Sequence, residues 1–229
     1  MKKIGIIGGL GPEATVDYYR ILINAYRERF GGKTPEIIIY SLDMGELATF
    51  FKNKDLNGIV NWLNRAIKAL KGSGADLAII AANTPHLVYE DLVRVAPIPV
   101  ISIVEETANV ASTMGLKRVG LFGTKITMRA DFYPKVFKQK NIDIAVPTKD
   151  EQNYINRILN EELNFGTIRE ETRGQLKAII QRMIKEQGIN ALILGCTELP
   201  LILSAPDPGI PYLNTSRIHV LSALRYALQ

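Results

Sequence analysis

The one cysteine of this 229-residue chain, Cys196, stands in Gly195-Cys196-Thr197-Glu198, where an apolar run ends and a helix is expected to begin. A thiol placed there meets unpaired N–H groups and the positive end of a helix dipole, and both favour thiolate. Thiolate and thiol together make a base and an acid, so the position suits proton transfer. It equally suits a small buried residue, which is what most free cysteines are. Thr197 and Glu198, and in the first half Asn83-Thr84, put further polar groups beside helix starts. Short amides and hydroxyls in such places hold carboxylates, and they also serve as ordinary helix caps. His86 follows the Asn83-Thr84 loop closely, whereas His219 falls in the last helical pattern and is expected to pack or to face solvent.

Near the start, Gly9-Leu10-Gly11-Pro12-Glu13-Ala14 satisfies G-x-G-x-x-A after a strand-like run, with Asp43 as the candidate ribose-binding acid. Pro12 removes an N–H that a phosphate would need, so the match argues against a nucleotide. A tight turn at Gly9 and Gly11, its backbone donors facing a small anion, fits the same residues. The histidines have no metal-ligand spacing, and H-E-x-x-H, P-loop and G-x-S-x-G motifs are absent from the sequence. A single cysteine excludes an internal disulfide and any zinc or iron–sulfur site built on several thiolates. No metal and no cofactor are expected.

These residues need elements to hold them. Lys3–Ile7, Glu36–Tyr40, Leu77–Ala81, Val100–Ile103, Val119–Phe122, Ile142–Val146 and Ala191–Leu194 read as short buried strands. Amphipathic stretches such as Thr15–Glu28, Leu56–Lys71, Ile103–Met114 and Arg173–Gln187 alternate with them, and Trp62 sits on a core stripe. Near-continuous apolar strands separated by helices mean mostly parallel sheets flanked by helices, the α/β class.

The chain also resembles itself. Ile4-Gly5-Ile6-Ile7-Gly8 recurs as Val119-Gly120-Leu121-Phe122-Gly123. Gly74–Ala81 recurs as Gly188–Gly195, and Pro99-Val100-Ile101-Ser102 as Pro211-Tyr212-Leu213-Asn214. A nearly constant offset of about half the chain argues for two similar lobes. We expect residues 1–98 with 211–229 in one lobe and 99–210 in the other, their strand-end loops facing one cleft. The repeat sets Ala82-Asn83-Thr84 against Cys196-Thr197-Glu198, and Gly123-Thr124 against Gly8-Gly9.

Composition narrows the class further. With 47% hydrophobic and 22% charged residues, the chain is an ordinary globular one, and its net charge of +5 is mild. It has no basic run with interleaved aromatics, so nucleic acid is not an expected partner. No apolar run is long enough to span a bilayer, so no membrane is expected either. The first residues superficially resemble a signal peptide, but their short apolar stretch is broken by glycines and Pro12 and runs into Glu13. A reducing cytoplasmic compartment is expected.

Gly8-Gly9-Leu10-Gly11-Pro12, Ala82-Asn83-Thr84-Pro85-His86, Ser102-Ile103-Val104-Glu105-Glu106-Thr107 and Gly195-Cys196-Thr197-Glu198 look like the motifs of the aspartate/glutamate racemase superfamily. The resemblance covers the whole chain in order. It implies two pseudo-symmetric lobes with the site between them, usually a homodimer, acting on an amino acid or related carboxylate without pyridoxal phosphate. One cysteine from each half would flank Cα. By the same resemblance Cys196 is a general acid/base, while Gly9, Gly11, Asn83, Thr124, Thr197 and Glu198 hold the substrate. The chain departs from the pattern where the first-half cysteine is Ala82, which leaves Thr84, or His86 through water, as the second proton carrier. It departs again at Met44–Ala48 and Glu161–Phe165, which lack the arginine and lysine that grip acidic substrates. Two further readings follow from a single thiol: a decarboxylase resembling arylmalonate decarboxylases, or a catalytically decayed protein that binds a small acid.

Overall fold

The computed structural model describes residues 1–204 and 209–229; residues 205–208, inside the expected second lobe, lie outside the described residues. The first part of the chain forms β1 (Ile4–Gly8), α1 (Pro12–Arg29), β2 (Ile37–Ser41), α2 (Met44–Lys52), α3 (Leu56–Gly72), β3 (Leu77–Ile80), a 3-10 turn (Thr84–Val88), α4 (Tyr89–Val95) and β4 (Val100–Ile101). These strands make a parallel sheet in the order β2-β1-β3-β4. After α5 (Ile103–Thr113) come β5 (Arg118–Gly123), α6 (Lys125–Arg129), α7 (Phe132–Lys138), β6 (Asp143–Ala145), α8 (Lys149–Glu161), α9 (Glu170–Arg182), β7 (Ala191–Gly195), α10 (Leu199–Ile202), β8 (Tyr212–Asn214) and α11 (Thr215–Ala227). A second parallel sheet has the equivalent order, β6-β5-β7-β8. The duplication read from the sequence is therefore a duplication of topology.

The central strands β1, β3 and β7 are apolar or glycine and buried at every position because both faces of each sheet are covered there. In the first sheet Ile4, Ile6, Leu77 and Ile79 pack on one side with Tyr18 and Leu22 of α1 and Val220 and Leu224 of α11. The alternate residues Ile7, Ala78 and Ile80 pack on the other with Ile59, Leu63 and Ile67 of α3. The second sheet buries Phe122, Leu192 and Leu194 against Ile155, Leu159, Leu176 and Ile180. Among the described residues no helix is long and apolar enough to cross a membrane.

The division of the chain differs from the one expected. One compact unit is Met1–Glu106 with Ser216–Gln229; the other is Thr107–Thr215. The expected boundaries, 98/99 and 210/211, would have exchanged the two closing strands. Val100 pairs with Ala78, and Tyr212 with Leu192, so each closing strand stays in its own sheet. Ladder bonds at Ala78 N to Pro99 O (2.8 Å) and Leu192 N to Pro211 O (3.0 Å) hold them there. The chain changes unit only in the helices that follow, α5 and the start of α11.

Candidate active site

In the second unit the site grows from two paired strand ends. Gly123 of β5 and Gly195 of β7 are direct partners in the ladder. A Cβ on Gly195 would sit 2.7 Å from the Phe122 carbonyl oxygen, so a side chain there would force the two strands apart. The residues that follow, Thr124 and Cys196, thus leave adjacent strands at the same sheet edge. Parallel strands run about 4.8 Å apart. Thr124, expected to hold substrate, caps α6, its hydroxyl accepting from the Thr127 N–H at 3.2 Å. The Lys125 N–H is taken by Asn156 Oδ1 of α8 at 2.9 Å, a contact to this loop that no sequence motif signalled.

Cys196 is half-buried against the second unit's core. Its Sγ donates to Glu198 Oε2 at 2.8 Å, and the Thr197 hydroxyl donates to the same oxygen at 2.9 Å. Glu198 itself is buried. Loss of water around the sulfur, then the Glu198 charge and its hydrogen bond, push the thiol well above its ordinary range. The N–H groups of Thr197 and Glu198 pull the other way and are outweighed. The expectation that this location favours thiolate is corrected here. The helix beyond, α10, has only one turn, and burial of the sulfur together with the carboxylate beside it overrides its dipole. Glu198, expected to hold substrate, is engaged by the thiol. Its signal in the sequence was an acid two residues after the cysteine at a helix start.

The first unit carries the other expected residues at the carboxyl ends of β1 and β3. Asn83 is buried and leads into the 3-10 turn that Thr84 begins; Thr84 is partly exposed. Gly9 has φ +81, and a Cβ on it would lie 2.0 Å from the Leu42 carbonyl oxygen. Its N–H goes to the Thr15 hydroxyl at 2.9 Å. Gly9 therefore serves the close passage of β1's end past Leu42, and its donor, expected to face an anion, is spent inside the turn. Gly11, at φ 120, is the N-cap position of α1. Ser102, from another of the family-like motifs, caps α5 by accepting from Glu105 N–H at 3.2 Å.

Both histidines are structural. His86 Nε2 accepts from the Ile103 N–H at 3.2 Å, so Nδ1 carries the hydrogen and donates to the Ala82 carbonyl oxygen at 3.0 Å. With both nitrogens occupied and the ring buried, His86 passes no proton through water, which corrects that expectation. His219 Nε2 donates to Ile101 O at 2.9 Å, and Nδ1 accepts from the Tyr18 hydroxyl at 2.9 Å. Burial lowers His86 to about 4; burial, with His86 beside it, lowers His219 to about 3. Both rings are neutral clamps.

A thiol and a carboxylate joined by a hydrogen bond at a sheet's carboxyl edge have the chemistry to pass one proton between them. The profile of the Asp/Glu/hydantoin racemase family matches residues 7–223.

The chain belongs to this family.

Among its relatives, the broad-specificity amino-acid racemase RacX of Bacillus subtilis is 26% identical over 225 residues, 93% of this chain and 92% of that protein. Glutamate racemases match over less of their length; that of Geobacter metallireducens is 28% identical over 179 residues, 77% of this chain and 56% of that protein. Of solved structures, an aspartate racemase homologue from Pyrococcus horikoshii OT3 is 40% identical with TM-score 0.88, all of both chains being covered. The aspartate racemase of Picrophilus torridus is 25% identical with TM-score 0.78, covering 99% of this chain and 94% of that one. Two four-stranded parallel sheets flanked by helices are thus the α/β fold of Asp/Glu racemases.

Proposed function

We propose that this chain is a cofactor-independent, racemase-like isomerase of amino acids in which Cys196 exchanges the proton at Cα and Glu198 is the thiol's own proton acceptor. The observation that supports this most is the bond from Cys196 to Glu198 at 2.8 Å. A thiol held above its ordinary range is a poor base alone. Beside a carboxylate it becomes one, because the sulfur gives its proton to Glu198 as it takes the proton from Cα. The return step runs in reverse: Glu198 returns its proton to sulfur while the S–H proton passes to the carbanion. Neither step needs an oxidant or a metal.

In this reading Asn83, Thr84, Thr124 and Thr197 hold the substrate carboxylate, and their N–H and O–H groups stabilise the charge that develops. A homodimer belongs to the reading through the family resemblance. Ala82 carries no proton, which leaves the Thr84 hydroxyl as carrier on the opposite face. An alcohol is a weaker acid than a thiol, so the reaction is slow or one-sided. The segments Met44–Ala48 and Glu161–Phe165 lack the cations by which acidic-substrate racemases grip their substrates, and each contains a carboxylate. Glu46 of α2 accepts from the Trp62 indole N–H, and buried Glu162 accepts from the Thr172 hydroxyl at 2.7 Å. We therefore favour neutral or cationic side chains over aspartate and glutamate.

The test is deuterium incorporation at Cα from heavy water across a panel of L- and D-amino acids, with chiral chromatography of the products. Incorporation that disappears in Cys196→Ser supports the proposal; no incorporation with any amino acid removes it. A second reading has its own support: Ala82 together with a protonated thiol suits a decayed protein that binds a small acid, or a decarboxylase whose single thiol protonates one face of an enediolate. Carbon dioxide release from disubstituted malonates would select the decarboxylase. Binding of a small carboxylate without exchange or release would select the decayed protein.

A further inference from the structure

Within the first unit, α1 and α11 border an open groove of about 430 Å³ that the proposed chemistry does not use. Ile21, Leu221 and Leu224 supply its apolar lining, and Arg20, Arg29, Arg217 and Arg225 stand around it with Glu28. Arg20 and Arg29 are separated by roughly 14 Å along α1, and Arg217 and Arg225 by roughly 12 Å along α11, at about 1.5 Å per residue. Guanidiniums therefore occur toward both ends of an apolar trough.

Arg20 and Arg225 are held by hydrogen bonds to neighbouring side chains. Arg20 Nη1 donates to Asp17 Oδ1 at 2.9 Å. Arg225 Nη2 donates to Ser222 Oγ at 2.7 Å and approaches Glu106 Oε2 at 3.4 Å. A guanidinium has five N–H donors, so these bonds orient each fork and leave others for a ligand. The volume is that of a small-molecule site, and apolar walls with a few convergent charged groups are what such sites share.

We propose that this groove binds an elongated organic anion, an apolar body carrying anionic groups toward both ends. The arginines recognise the anionic groups, and the isoleucine and leucines bury the body. A compact inorganic anion would meet only one end and leave the apolar lining wet. An uncharged apolar molecule would make no use of the remaining guanidinium N–H donors.

The experiment is fluorescence titration of the full-length protein with bis-ANS, an apolar disulfonate, against Nile red and inorganic phosphate. We expect saturable one-to-one binding of bis-ANS, no saturable binding of Nile red, and no displacement by phosphate at low millimolar concentration. The exposed pair Arg29→Gln/Arg217→Gln should weaken bis-ANS binding at least about tenfold, two charge-assisted contacts being lost. Each single variant should show a smaller loss, with the circular dichroism spectrum unchanged. Lys135→Gln/Lys138→Gln, on α7 in the other unit, should leave affinity unchanged. Absence of saturable binding, equal affinity in the arginine variants, or displacement by phosphate at that concentration would overturn the proposal.

Discussion

Cys196 and Glu198 pose the sharpest question at the scale of single residues, because the carboxylate that joins burial in raising the thiol is also placed to take its proton. Removing that charge should separate the two effects. In Glu198→Gln burial still raises the thiol but the charge repulsion that adds to it is gone, so alkylation of Cys196 by iodoacetamide at neutral pH should be faster than in the parent. Cα exchange should instead fall about a hundredfold, the usual worth of one positioned proton acceptor. A purely structural Glu198 would move both rates together, which rate measurements on the folded variant would reveal. His86 and His219 make a different prediction. The unfolded chain protonates both near their ordinary value of 6.5, the folded chain only near 4 and 3. The unfolded state therefore binds more protons as pH falls, and stability is lost below about 6.5. At about 1.4 kcal/mol per pH unit and per histidine, roughly 4 kcal/mol should go by about pH 5. Urea denaturation at several pH values checks this, and a flat profile there would contradict the neutral clamps.

At the scale of elements, the loops work because glycine permits approaches that side chains forbid. Gly9→Ala would put a methyl on the Leu42 carbonyl in a left-handed backbone, and we expect destabilisation on the order of 3 kcal/mol or more, read from the urea midpoint. This turn shows why part of the site was legible in the sequence and part was not. A tight glycine turn was evident from Gly9-Leu10-Gly11-Pro12, since little else reads that way. That the Gly9 N–H is consumed by Thr15 was not, because a hydroxyl six residues on carries no periodic signal. The strands were visible for the opposite reason, since burial on both faces writes an unbroken apolar run. Cys196 stood out by location, but its protonation depends on burial of the sulfur and on where the Glu198 carboxylate turns. A side-chain rotamer is not written in spacing.

For the molecule as a whole, two sheets of equivalent order present two equivalent loops, of which one holds a thiol and the other Ala82. The repeat was readable before any coordinates, and so was the missing thiol. The boundary between units was not, because the change of unit happens inside helices whose amphipathic pattern looks the same on either side of it. If the duplication underlies the chemistry, Ala82→Cys should restore a two-thiol arrangement. Racemisation should then rise by about tenfold or more over the parent, in both directions, as a thiol replaces an alcohol as acid. Chiral chromatography from each enantiomer measures it, and an unchanged rate would mean that Ala82 does not occupy an equivalent catalytic place. The central claim, however, is that Cys196 handles the Cα proton. It is tested most directly by NMR detection of deuterium uptake at Cα in heavy water, comparing the parent with Cys196→Ser. The account predicts uptake by the parent with at least one amino acid and a loss of about a hundredfold or more in the variant; equal uptake by both proteins, or none by the parent, would contradict it.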